Sequence, residues 1–264
     1  MRLRITHRTE YKYGSPIHYA LQRIRLIPAS STAQTVQHWT VTVTGAREEV
    51  RFGDQFGNET RLLSAHGEPH TIVLEAAGEV ETFDKAGVYG VHRGFAPLWL
   101  FRHHTVLTTP GDAVRALVAT TGEGSELERL HALKEAVGAA IAYTPGATHT
   151  ATTAEEALAA RSGVCQDHAH AFIAAARVLG FPARYVSGYL MMEEASEQAA
   201  SHAWAEAHVA SLGWVAFDAA NGISPDARYV RLAVGRDYRD AMPVSGILLG
   251  QAEERLAVQI TVEQ

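Results

Sequence analysis

The hydrophobic period of the chain changes twice along its length, and this confines the fold more than any other feature. Up to about residue 90 the pattern is that of strands. Residues 1–13 alternate apolar and polar, Thr40-Val-Thr-Val-Thr44 and Thr71-Ile-Val-Leu74 are β-branched runs, and Glu49-Val-Arg-Phe52 alternates before Gly53. Asp54-Gln-Phe-Gly57-Asn58 falls between two such runs and reads as a turn, because Gly and Asn tolerate positive φ. Short strands at regular spacing predict a β-sandwich. After Pro110 the spacing becomes helical. Ser125 with Glu128 fits a capping box, and Leu130, Leu133, Val137 and Ile141 follow at helical intervals. Thr153 with Glu156 is a second capping box opening a short helix through Leu158. Residues 165–179 read as a third helix, closed by Gly180 and Pro182. Strand patterns then return over 183–190, 202–209 and 213–218, with one more at 256–262. Strands, then helices, then antiparallel strands describe an α+β chain. The division expected is an N-terminal β-sandwich over residues 1–95 and a second domain over 96–264. Residues 91–110, with Gly94, Pro97 and Pro110, form the connection, and Leu98, Trp99, Leu100 and Phe101 are expected to dock the halves together.

Composition bounds what such a chain can do. With 264 residues, 47% hydrophobic and 20% charged, it can bury a core without disulfide support. A net charge of −6 argues against a nucleic-acid partner, since phosphate neutralisation wants surplus Lys and Arg. No stretch approaches the roughly 18 apolar residues of a membrane span, and the charged first residues lack the apolar core of a secretion signal. One cysteine excludes an intrachain disulfide. A cytoplasmic location is therefore expected.

That single cysteine, Cys165, sits at the start of the third helix, behind Ser162-Gly163-Val164. Backbone N–H groups without intrahelical acceptors and the positive end of the macrodipole meet there. The place suits an anionic sulfur and offers donors to a developing oxyanion. A cysteine nucleophile needs a base, and the base needs an orienting acceptor. Fourteen histidines are present, so only context selects one. Ser201-His202-Ala-Trp204-Ala-Glu206 alternates as a strand, and Trp214-Val-Ala-Phe-Asp218 is a second strand ending on a carboxylate. Antiparallel pairing of the two would bring Asp218 beside His202.

Helix-start Cys, strand His and neighbouring-strand Asp, in that order, resemble the transglutaminase-like superfamily. Gly163-Val-Cys165-Gln-Asp167-His-Ala-His170 resembles its nucleophile motif. Ser201-His202-Ala-Trp204-Ala-Glu206 resembles its histidine motif, and Gly213-Trp-Val-Ala-Phe-Asp218-Ala-Ala-Asn221-Gly222 its aspartate motif. Residues 177–190 resemble the helix-turn-strand that follows the nucleophile motif, Thr153-Ala-Glu-Glu-Ala-Leu158 the helix that precedes it, and Gly235-Arg-Asp237-Tyr238-Arg-Asp240 a downstream loop of the bacterial branch. His7-Arg-Thr-Glu-Tyr11-Lys-Tyr13 and Asp54-Gln-Phe-Gly57-Asn58 resemble its β-rich N-terminal domain. The resemblance implies a papain/transglutaminase-like catalytic domain, with helices packed on an antiparallel sheet. It implies Cys165 as nucleophile, His202 as proton carrier and Asp218 as its orienting partner. The implied activity is acyl transfer through a Cys165 thioester on a peptide or protein substrate, without a cofactor. Hydrolysis is the expected outcome, with transfer to an amine or a silent peptide-binding role as the alternatives. The backbone N–H of Cys165 is one expected oxyanion donor. The second is open among aromatic side chains such as Tyr143. Gln166 stands where animal transglutaminases carry tryptophan, so their calcium dependence and substrate preference do not carry over.

A metal site is the rival reading, because Cys165, Asp167, His168 and His170 crowd together. At about 100° per residue, positions 168 and 170 point about 200° apart, so no metal is expected. Asp167 has a simpler role in the first helical turn, complementing the dipole. No oligomeric partner is assigned.

Overall fold

The computed structural model describes every residue except 66, 68, 193–196 and 250–252. Its first strands are β1 (Arg2–Tyr13), β2 (Tyr19–Ile24), β3 (Gln34–Thr44), β4 (Ala46–Gly53), β5 (Glu59–Ala65) and β6 (Thr71–Thr82). In β1 and β6 alternate side chains are buried, as period two requires when one sheet face is covered. β1, β6 and β3 lie in one sheet and β2, β5 and β4 in a second. Leu3, Ile5, Ile72, Leu74 and Val80 from the first meet Ile24 and Leu63 from the second, all 0–1% exposed. Each such side chain withdrawn from water favours folding by about 1.5–3 kcal/mol. This is the expected sandwich.

The connection carries β7 (Val88–Gly90) and two 3-10 turns, Leu98–Arg102 and Val106–Thr108. Phe101 does dock, its ring 5.8 Å from Phe56 and 5.2 Å from Trp214. Trp99, expected to do the same, is 59% exposed and lies against His103. The tight turn that buries Phe101 sends it outward.

There follow α1 (Asp112–Ala119), α2 (Glu126–Ala140), β8 (Ala142–Tyr143), α3 (Ala154–Ala160), β9 (Ser162–Gly163) and α4 (Cys165–Val178). After them come β10 (Ala183–Leu190), β11 (Glu197–Gln198), β12 (His202–Val209), β13 (Gly213–Phe217), β14 (Tyr229–Gly235) and α5 (Tyr238–Ala241). Both capping boxes form: Ser125 and Glu128 exchange bonds at the start of α2, Thr153 and Glu156 at the start of α3. β14, β10, β12, β13 and β7 make an antiparallel sheet in that order. Helix α4 packs on it through Ala169, Phe172, Ile173 and Ala176, against Ala203, Ala205 and Ala207 of β12. The fold is thus α+β, helices on an antiparallel sheet behind a β-rich N-terminal region. Among the described residues no helix is long and apolar enough to cross a membrane.

The last two strands, β15 (Val244–Leu249) and β16 (Glu254–Glu263), return to the sandwich. β16, which contains the strand expected at 256–262, pairs with β1 from Arg4–Glu263 to Tyr13–Glu254, and β15 pairs with β2. Conversely β7, from the first 95 residues, pairs with β13. Each half is completed by strands from beyond the boundary drawn at residue 95.

The edge strand β14 is sealed by two side-chain amides. Gln34 donates to the Arg231 carbonyl and accepts from its N–H, both at 2.8 Å. Asn58 does the same for Val234, again at 2.8 Å. Asn58 is held by the turn expected at 54–58: Asp54 accepts the Phe56 and Asn58 N–H groups and pairs with Arg25 at 2.8 Å.

Candidate active site

Cys165 is the first residue of α4 and half-buried. The helix begins here because Asp167 reaches back, accepting the Val164 N–H at 2.8 Å and the Thr148 hydroxyl at 2.6 Å. Gly163 makes this possible, since a Cβ there would lie 2.7 Å from that of Asp167. Asp167 therefore caps the helix. The N–H groups of Cys165 and Gln166, in its first turn, have no intrahelical carbonyl to bond.

His202 opens β12, and its Nε2 lies 2.6 Å from Asp218 Oδ2. The ladder between β12 and β13 ends at Ala205–Phe217, so Asp218 falls one step beyond it and reaches His202 diagonally. Burial alone would lower the imidazole pKa. The hydrogen bonds to Asp218 and to Cys165, with the charges of both, outweigh it and push His202 up to about 10. Burial likewise opposes the Asp218 charge, but hydrogen bonds from His202, Asn221 and Tyr229 hold its carboxyl below the usual range. Asn221 Nδ2 and the Tyr229 hydroxyl each lie 2.7 Å from Oδ2, while Oδ1 accepts the N–H groups of Ala220 and Asn221. Such a carboxylate is fixed in place and in charge. Asp218 and Cys165 thus both act on the His202 ring, Asp218 through the 2.6 Å hydrogen bond and Cys165 through its thiol and charge, so the three residues expected to act together meet at one imidazole.

Gly188 pairs with His202 across β10 and β12, and the Trp204 indole lies so close over it that a Cβ would collide. Trp204 stacks beneath the His202 ring, 6.2 Å between centroids, and meets Tyr229 edge-on at 5.3 Å. Trp204 is a wall of the site. Trp214 is further along the same face and donates to His92 at 3.1 Å. Tyr143, paired with Gly163 through β8 and β9, is 55% exposed. Burial, then the charges of Cys165 and Asp218, raise its pKa, and its ring lies 6.2 Å from that of His168.

The other polar residues of α4 turn elsewhere. His168 bonds the carbonyls of Val164 (2.8 Å) and Ile141 (3.0 Å). His170 accepts the Tyr238 N–H at 3.1 Å, and burial lowers its pKa to about 3. Asp237 caps the one-turn α5. Sequence reasoning missed Tyr229 and the donor role of Asn221. Asn221 lies within the quoted aspartate motif, whereas Tyr229 arrives from the far edge of the sheet with no local signal.

Residues 3–81 match the Bacterial transglutaminase-like N-terminal region, and residues 115–219 match the Transglutaminase-like superfamily. The chain is 30% identical over 292 residues to the uncharacterised protein Rv2569c of Mycobacterium tuberculosis, covering 99% of this chain and 92% of that one. It is 28% identical over 276 residues to the uncharacterised protein ML0607 of Mycobacterium leprae, covering 99% and 98%. The crystal structure named "Putative Cysteine Protease" from Cytophaga hutchinsonii superposes with a TM-score of 0.77 at 22% identity, over 100% of this chain and 91% of that one. That likeness establishes the fold alone. The two matched regions lie on the two halves described above, and the chain belongs to the transglutaminase-like superfamily, in the branch with the bacterial N-terminal region.

Proposed function

We propose that the chain is a cysteine-dependent acyl-transfer enzyme that hydrolyses a peptide or amide bond through a thioester on Cys165. The observation that carries this reading is the line Cys165–His202–Asp218, with His202 Nε2 2.6 Å from a fully buried carboxylate. With Nε2 given to Asp218, Nδ1 is the nitrogen left to serve the thiol. His202 takes the thiol proton, and the thiolate attacks the substrate carbonyl carbon. The carbonyl π pair moves to oxygen, where the Cys165 N–H at the helix start stabilises the negative charge. When the pair returns, the C–N bond breaks, and the His202 proton leaves with the amine. Water, deprotonated by His202, then attacks the thioester and releases acid and thiolate. Asp218 holds the ring orientation and favours the imidazolium throughout. The likeness to a structure named a cysteine protease agrees with hydrolysis. A free thiol nucleophile also suits a reducing, cytoplasmic setting.

The test is a peptide library incubated with the protein, with and without a labelled primary amine, and read by mass spectrometry. Cleavage or deamidation is expected, and neither with Cys165→Ala. An active Cys165→Ala variant sinks the mechanism, and amine incorporation in place of hydrolysis changes the acceptor.

A further inference from the structure

A second candidate site lies away from this line. A cavity of about 560 Å³ opens on the sheet face turned from α4, and Cys165, His202 and Asp218 do not line it. Its floor crosses the sheet from edge to edge: Arg231 of β14, Arg184 of β10, Trp214 of β13 and Tyr89 of β7. Its roof comes from the N-terminal half, with Ser30, Ser31 and Phe56, and Arg93 stands at the rim. The volume falls within the range of small-molecule sites, about 300–1,000 Å³.

The charges of this place do not cancel. Three arginines line the cavity and one carboxylate answers them: Glu206, fully buried, pairs with Arg184 and lies 3.5 Å from Arg231 Nη1. The Arg184 guanidinium is spent on Glu206 and on the Trp214 ring, 4.0 Å below it. Arg231 stacks on Tyr89 at 4.7 Å and gives Glu206 only Nη1, so its Nε and Nη2 have no acceptor among the described residues. Arg93, exposed, has no ion pair or hydrogen bond among the described residues. A surplus of positive charge is therefore concentrated here in a chain whose net charge is −6. Opposite stand Ser30 and Ser31, whose oxygens accept the N–H groups of Val36 and Ala33, leaving their hydroxyl protons to donate.

We propose that this cavity binds a small molecule bearing a carboxylate or phosphate group, its acid oxygens facing Arg231 and Arg93 and the rest lying against Tyr89, Trp214 and Phe56. Guanidinium forks suit either oxyanion, and stacking on aromatic rings holds their planes ready.

Isothermal titration calorimetry of the full chain with succinate in one arm and inorganic phosphate in the other tests this. Saturable single-site binding of at least one anion is expected, weakened about tenfold in Arg93→Gln and in Arg231→Gln, as loss of a charge-assisted hydrogen bond implies. The preferred anion identifies the acid group. Arg93→Gln removes an exposed, unpaired side chain, so it keeps the test valid if Arg231→Gln disturbs Glu206. Cys165→Ala is expected to bind as the parent does, which separates this site from the thiol. Saturable binding of neither anion, or affinities unchanged in both arginine variants, overturns the proposal.

Discussion

The two faces of the catalytic sheet solve different problems with the same five strands. On β12, Ala203, Ala205, Ala207 and Val209 face the helices, while Trp204 and Glu206 face the other way. The helix face is a matter of distance: small side chains let α4 lie close, which brings its first residue to the strand end where His202 begins. The opposite face is a matter of charge and ring contact, with Arg184, Glu206 and Arg231 buried or half-buried among Trp214 and Tyr89. The two histidines make the same contrast. His170, in the helix layer, has one backbone donor for company, and burial pushes it down to about 3. His202 is largely buried too, yet Asp218 and Cys165 overcome burial and push it up to about 10. Burial decides the charge of a histidine only where no partner outweighs it.

The strongest way to break this contrast is Asp218→Asn, which keeps the shape and removes the charge. Turnover is expected to fall about a thousandfold or more, by analogy with loss of an orienting carboxylate elsewhere. Steady-state kinetics showing less than a tenfold loss would mean that Asp218 only props the ring. On the charge face, Glu206→Gln leaves the Arg184 guanidinium buried without its counter-ion and should cost about 3 kcal/mol of stability. A urea unfolding midpoint unmoved by this change would mean that the cavity is wet enough to screen Arg184. On the distance face, Ala205→Leu forces α4 away from β12 and should cost about 2 kcal/mol through overpacking. It should also lower kcat, since the thiol is carried off with the helix, and a variant equally stable and active would refute the distance argument.

The mildest probe is the proton. His170 titrates below its ordinary value of 6.5, so its contribution to stability is full above pH 6.5 and fades as pH falls toward 3. His202 titrates above it, so its contribution is full below pH 6.5 and fades as pH rises through about 10. Nitrogen-15 NMR of the imidazoles should find His202 protonated and His170 neutral at pH 8. In Cys165→Ala the His202 titration should move down, because the hydrogen bond and charge of the sulfur are gone. A neutral His202 at pH 8 in the parent protein would contradict the electrostatic account.

What could be read in the sequence was local. The change of hydrophobic period, the Ser125–Glu128 and Thr153–Glu156 boxes and the turn at Asp54 each depend on residues a few positions apart, and each is present. The motifs around Cys165, His202 and Asp218 pointed to the residues that the fold brings together. What could not be read was long-range. The diagonal reach of Asp218 depends on where the β12–β13 ladder stops, and Tyr229 arrives from the opposite sheet edge. The return of β15 and β16 to the sandwich depends on which strand edges were left open, which no pattern within those strands records.

The amides of Gln34 and Asn58 on β14 have a consequence for how this protein could be taken apart. Each supplies a donor and an acceptor as a neighbouring strand would, so the N-terminal half acts as a surrogate strand that never needs to be threaded into the sheet. A catalytic half cut free of it would lose β7 at one margin and this cover at the other, presenting two raw edges to its own copies. Such a fragment is expected to clump, and any graft onto a different partner module would first have to supply two well-placed amides.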